Sequence, residues 1–212
     1  MSTGGEKGKR RIIVGITGAS GSIYGVRILE ELHKIPEIEC HLVMSGPARR
    51  TIEHETDWKV GELAKLADVV HDEYDIGASI SSGSFRTEGM IIAPCSIKTL
   101  AGIANSYNDN LMTRAADVVL KERRRLVLMI REAPFHIGHL RMMTHVTEMG
   151  AIIWPPIPSF YSRPRSLQQV VDHSCGRALD MFGIEHQLVK RWKGMEGDSV
   201  ITQDEGPVGD IR

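Results

Sequence analysis

The feature that most constrains this chain is a regular alternation of short β-branched runs with amphipathic stretches of helical period. RIIVGIT (11–17), IECHLVMS (38–45), GMIIAP (89–94), RRLVLMI (124–130) and AII (151–153) each read as a buried strand. Between the first two, SIYGVRILEELHKI (22–35) places Ile23, Val26, Leu29 and Leu32 on one helical face. Pro47 opens a helix reaching about Glu55, KTLAGIA begins another, and Asn110 caps LMTRAADVVLKE. HLRMMTHVTEMG (139–150) and SLQQVVDHSCGRALDMFG (166–183) supply the last two helices. Strands alternating with helices need crossover connections. The predicted fold is therefore α/β: a single three-layer, doubly wound, mostly parallel sheet.

At 212 residues and 23.5 kDa one domain is expected, large enough to bury about 70% of its unfolded surface without a disulfide or metal staple. Residues 1–10 read as a flexible basic arm and 11–193 as the folded body. The stretch 194–212, with five carboxylates against Arg212, reads as an acidic, solvated tail. A net charge of −1 gives no global attraction to nucleic acid or to an anionic membrane. No apolar run approaches the length of a membrane span, and the N-terminus lacks the apolar stretch of a signal peptide. Cys40, Cys95 and Cys175 are odd in number and far apart, so reduced thiols in the cytoplasm are expected.

In an open parallel sheet, ligands bind at the carboxyl ends of the strands. After the first strand comes GITGASGSIYG (15–25), where Gly18 and Gly21 allow a tight turn and Thr17, Ser20 and Ser22 supply hydroxyls at a helix start. That pattern suits an anion, although a ligand-free turn is an equal reading of the loop alone. It is neither GxGxxG nor a P-loop, so no standard dinucleotide or ATP site is indicated. Ser45 and Gly46 repeat the pattern after the second strand. PCSIKT (94–99) repeats it again with Ser96, Lys98 and Thr99. Three such strand ends favour a phosphate-bearing ligand over an empty turn.

SISSGSF (79–85) is a small-residue loop able to lie against a flat ring, with a plain flexible connection as the other reading. Arg114 and Lys121 are seven apart and share a helix face, so they could reach one phosphate together, whereas Arg123–Arg125 read as a solvated face. Arg131 and Glu132 stand at a strand's carboxyl end, which favours a site role. DEYD (72–75) reads as a turn, and His136, His139 and His145 lack metal-ligand spacing, so no metal site is expected.

Taken in order, GITGASG, SSGSF, PCSIKTLAGIA, RAADVVLKERRRLVLMIREAPF, HLRMM and PPIPSFY resemble the flavin prenyltransferases of the UbiX/Pad type over roughly residues 11–193. The resemblance implies a flavodoxin-like or Rossmann-like fold assembled as a homo-dodecamer. It implies alkylation of reduced FMN by dimethylallyl monophosphate, at N5 and then C6, to make a prenylated flavin for UbiD-type decarboxylases. By this resemblance the FMN site is Gly18, Ala19, Ser20, Ser45, Ser96, Ile97, Lys98, Thr99 and Arg131, with Ser82 in a flavin-facing loop. The prenyl phosphate meets Arg114, Lys121, Tyr161 and Arg177, and Trp192 matches a C-terminal tryptophan. Glu55 and Glu132 match acidic residues near the reacting carbons, and Ser20 and Lys121 join them as catalytic candidates. Arg125, where proline is common, and the acidic tail depart from the pattern.

The chemistry suits these residue types. A cationic pocket stabilises charge building on a departing phosphate, and Glu132 or the phosphate itself could take the proton from C6. Two other readings stay open. One is an FMN-dependent cysteine decarboxylase of the same fold, against which Lys98 argues; the other is a non-catalytic flavin carrier, which needs no second phosphate site.

Overall fold

The computed structural model describes residues 8–192. The acidic tail and most of the basic arm lie outside this range. A six-stranded, all-parallel sheet forms its centre, in the order β3-β2-β1-β4-β5-β6. The strands are β1 (Arg10–Ile16), β2 (Ile38–Met44), β3 (Val69–His71), β4 (Gly89–Cys95), β5 (Arg125–Ile130) and β6 (Ile152–Ile153). The helices are α1 (Ser22–His33), α2 (Gly46–Glu55), α3 (Val60–Ala64), α4 (Ile97–Ala104), α5 (Leu111–Lys121), α6 (Ile137–Glu148) and α7 (Leu167–Asp180).

Alternation along β1 divides the core. Ile12, Val14 and Ile16 are fully buried beneath α1, α2, α3 and α7. Ile13 points the other way and packs with α4, α5 and α6. Each such isoleucine contributes about 1.5–3 kcal/mol by leaving water. Arg10 already pairs with Ile38, and its N–H donates to Glu37 O at 2.8 Å, so the sheet begins one residue before the expected body.

Two elements, α3 and β3, were not anticipated from the sequence. β3 is three residues long and Val70 is 43% exposed, so neither a buried run nor an alternation marks it. Among the described residues no helix is long and apolar enough to cross a membrane.

The chain reverses winding between β1 and β4, which are neighbours although β2 and β3 separate them in sequence. At such a switch point the two following loops diverge and leave a crevice. Thr17 ties its walls together: its Oγ1 donates to Pro94 O at 2.7 Å and accepts from Ser96 N at 2.8 Å.

Candidate active site

Two adjoining cavities open at this switch point. The larger, about 790 Å3, is walled by Thr17, Gly18, Ser45, Ser96, Lys98 and Thr99, together with Glu73, Tyr74, Tyr107 and Asn110. The smaller, about 540 Å3, is lined by Gly18, Ala19, Ser20, Ser96, Ile97, Lys98, Arg131, Glu132 and Ala133. Gly18, Ser96 and Lys98 belong to both. Every expected flavin contact except Ser82 therefore lies on one continuous surface.

The glycines explain the loop after β1. A Cβ on Gly18 would sit 2.4 Å from the Pro47 side chain, so the turn can press against α2 only without one. Gly21 has φ +102°, a conformation that L side chains rarely adopt, and it starts α1 there.

The three hydroxyl-rich helix starts turn out to be unequal. At α1, Glu55 Oε2 accepts from Gly21 N at 2.8 Å, Ser22 N at 3.0 Å and Ser22 Oγ at 2.6 Å. Burial would raise this carboxyl's pKa, but the hydrogen bonds from Ser22, Ser20 and Gly21 outweigh it and hold the group below its ordinary value. At α2, Gly46 N donates to Glu73 Oε1 at 2.6 Å, Pro47 has no N–H, and Ser45 Oγ caps Ala48 N. Internal carboxylates thus occupy two of the three places where the sequence pointed to phosphate. The physical reason is that any carboxylate within reach answers the same N–H groups and dipole.

The start of α4 differs. Ser96 Oγ caps Thr99 N at 3.3 Å and contacts Thr99 Oγ1 at 3.1 Å. The Ile97 and Lys98 N–H groups are among those that a helix start cannot satisfy internally, and both residues line the smaller cavity. Lys98 is exposed into both cavities. The Arg131 Nε–H donates to Ser20 O at 3.3 Å, which lays its side chain along the Gly18–Gly21 turn. Neither cation forms an ion pair among the described residues. Glu132 does not pair with Arg131, and its Oε1 accepts from Ala133 N at 3.0 Å.

The remaining expected residues fall into two groups on opposite faces of the sheet. On the α5 side, Arg114 donates from Nε to Ser81 O at 3.2 Å and from Nη1 to Asp117. Lys121 pairs with Glu122 against Gly83, so both cations flank the loop that carries Ser82. On the α7 side, Tyr161 contacts His173 and packs edge-on to Trp192, while Arg177 pairs with Asp180 at 2.7 Å. A single chain therefore does not converge Arg114, Lys121, Tyr161 and Arg177 on one anion, because the sheet lies between α5 and α7.

Several features were missed. Glu73 and Tyr74 belong to DEYD, which is a turn as expected but also walls the larger cavity. Arg124 is not a solvated residue: its side chain is 15% exposed and donates to Gly83 O at 2.6 Å and Phe85 O at 2.8 Å, fixing the 83–85 loop. A charge run read as a whole hides the one member that turns inward.

Comparison with known proteins places these observations. The Flavoprotein family matches residues 1–179. A relative named flavin prenyltransferase UbiX, from Escherichia coli K12, is 59% identical over 187 residues, covering 87% of this chain and 99% of the relative. A solved structure described as AnUbiX (PadA1) in complex with FMN and dimethylallyl pyrophosphate aligns with TM-score 0.86 and 48% identity, over 89% of this chain and 100% of that one. Another, described as a dodecameric FMN-dependent Ubix-like decarboxylase from Escherichia coli O157:H7, aligns with TM-score 0.85 and 50% identity, over 87% and 100%.

Proposed function

Because this chain belongs to the Flavoprotein family and, within it, to the UbiX-type flavin prenyltransferases, we propose that its paired cavities hold FMN with the phosphate at the start of α4. The enzyme joins a dimethylallyl group, carried as a phosphate ester, to FMN, and the product serves UbiD-type decarboxylases. The observation that carries the site assignment is the open start of α4. Its unsatisfied N–H groups belong to residues lining a cavity whose wall also carries Lys98 and Arg131, neither of them ion-paired among the described residues. The adjoining 790 Å3 is within the range of cofactor sites.

When bound and reduced, FMN supplies the nucleophilic positions N5 and C6. The protein's own groups do the rest. Lys98 and Arg131 neutralise the flavin phosphate, and Ser96 and Thr99 offer it hydroxyls. Glu55, kept ionised by three donors on its Oε2, holds the 18–22 turn in shape beside Ser20. Glu132, on the wall of the smaller cavity and free of Arg131, is placed to accept a proton.

Arg114 and Lys121 of one subunit meet Tyr161 and Arg177 of another around the prenyl phosphate, where cations stabilise the departing charge. Sharing of the site between subunits is the reason the enzyme works as a homo-oligomer of the dodecameric kind. Its three cysteines are buried and unpaired, in keeping with a cytoplasmic location.

The test is incubation with reduced FMN and either dimethylallyl monophosphate or diphosphate, followed by the mass of the recovered flavin. One of the donors should add a dimethylallyl group. An unchanged flavin with both would sink the assignment, as would tighter retention of FAD than FMN.

A further inference from the structure

His173 has been given no role so far, yet it is a nearly buried polar residue in contact with Tyr161. It lies on α7 and is 8% exposed. Its ring joins two residues of the turn that enters α7: Nδ1 is 3.1 Å from Ser159 Oγ and Nε2 is 3.1 Å from the Tyr161 hydroxyl. Tyr161 also packs edge-on against the imidazole, with centroids 5.9 Å apart, and against Trp192 at 5.7 Å. The phenol is therefore packed on two sides, and its hydroxyl has one partner among the described residues.

A neutral imidazole carries one donor and one acceptor, so only two arrangements satisfy both contacts. In the first, Nδ1–H donates to Ser159 Oγ and the Tyr161 O–H donates to Nε2, so the phenol oxygen presents only lone pairs outward, which repels an anion. In the second, Ser159 O–H donates to Nδ1, Nε2–H donates to the phenol oxygen, and the phenolic proton is left for a third group. Burial, with Arg177 one helical turn further along adding to it, holds His173 below its ordinary pKa, which keeps the ring neutral. An anion arriving at Tyr161 selects the second arrangement, because only that one offers it a donor.

We infer that His173 is a positioning residue for prenyl-donor binding, which through the Ser159–His173–Tyr161 chain aims the Tyr161 proton at the donor's phosphate. This rests on the reading that Tyr161 meets that phosphate.

The measurement is the Kd of dimethylallyl monophosphate for the full-length enzyme loaded with oxidised FMN, which does not react, by calorimetry. FMN affinity and thermal melting serve as controls for folding. Asparagine matches the Nδ1 position of histidine and glutamine the Nε2 position. His173→Asn keeps the Ser159 contact, loses the one to Tyr161, and should weaken the donor about 5- to 10-fold with FMN affinity unchanged. His173→Gln keeps a donor for Tyr161 and should stay within about twofold. Ser159→Ala should fall between, and His173→Asn should add nothing to Tyr161→Phe.

Equal weakening by Asn and Gln, or additivity with Tyr161→Phe, would reduce His173 to a staple on the turn and overturn the inference. If His173→Asn does not fold, Ser159→Ala decides, since an unchanged Kd there also overturns it. A Tyr161→Phe enzyme that binds the donor like wild type would instead refute the Tyr161 reading beneath it.

Discussion

Lys98 and Arg131 are cations without a carboxylate partner among the described residues, on the wall of a cavity built from backbone turns. A charge-assisted contact to phosphate contributes about 1.5–3 kcal/mol. Lys98→Ala and Arg131→Ala should each weaken FMN binding roughly 10- to 100-fold, read by quenching of flavin fluorescence, while the FMN-free protein melts as before. Arg131→Lys keeps the charge but loses the planar fork, so it should recover only part of the affinity. Glu132 behaves differently because Arg131 does not hold it. Glu132→Gln preserves shape and removes a proton acceptor, so kcat should fall about 100-fold with both substrates still bound. Parallel loss of FMN affinity would mean that Glu132 serves the flavin site instead. Lys98 and Arg131 were legible as candidates because they follow strand ends, and both line the smaller cavity. Glu73 was not, since nothing in DEYD shows that its carboxylate folds back onto the start of α2.

Asp180, at the end of α7, accepts hydrogen bonds from Arg177, Arg191 and His186. Burial pushes its pKa up, but these three donors more than offset that, and the carboxyl sits at about 2 against an ordinary 3.8. A carboxyl depressed in the folded state stabilises it above the unfolded pKa, and that stability is lost as pH falls. The window here runs from about pH 4 down to 2, and the contribution is about 2 kcal/mol. Asp180→Asn should lower the melting temperature at neutral pH and flatten its decline across that window. An unchanged pH profile would show that the three donors find other partners. The long elements were readable because burial on both faces of a strand leaves a continuous apolar run, and burial of one face of a helix leaves a 3.6-residue period. β3 left none: three residues at the edge beside β2 are too few to carry one.

At the scale of the whole molecule, the sheet separates Lys121 from Arg177, so one chain cannot bring both to a single phosphate, and the site proposed for the prenyl donor needs two subunits. Lys121→Ala and Arg177→Ala should each be inactive alone. Co-expressed, they should regain about a quarter of wild-type activity, because randomly mixed assemblies place both intact residues at one site in four. No recovery, with mixed assemblies shown by mass, would count against sharing between subunits. Light scattering should give a mass many times that of one 23.5 kDa chain.

The sequence by itself determined the alternating architecture and which loops follow strand ends. These depend on local period and on turn residues such as Gly18 and Gly21, whose need is written into neighbouring positions. The tertiary structure decided which helix start stays open. Glu55 reaches back 34 residues in sequence to Gly21, and Glu73 reaches 27 to Gly46, so two of three equivalent-looking loops are filled from within and α4 is left for a ligand. It also set Arg114 and Lys121 on one face and Tyr161 and Arg177 on the other, a separation that follows from chain winding and has no local signature.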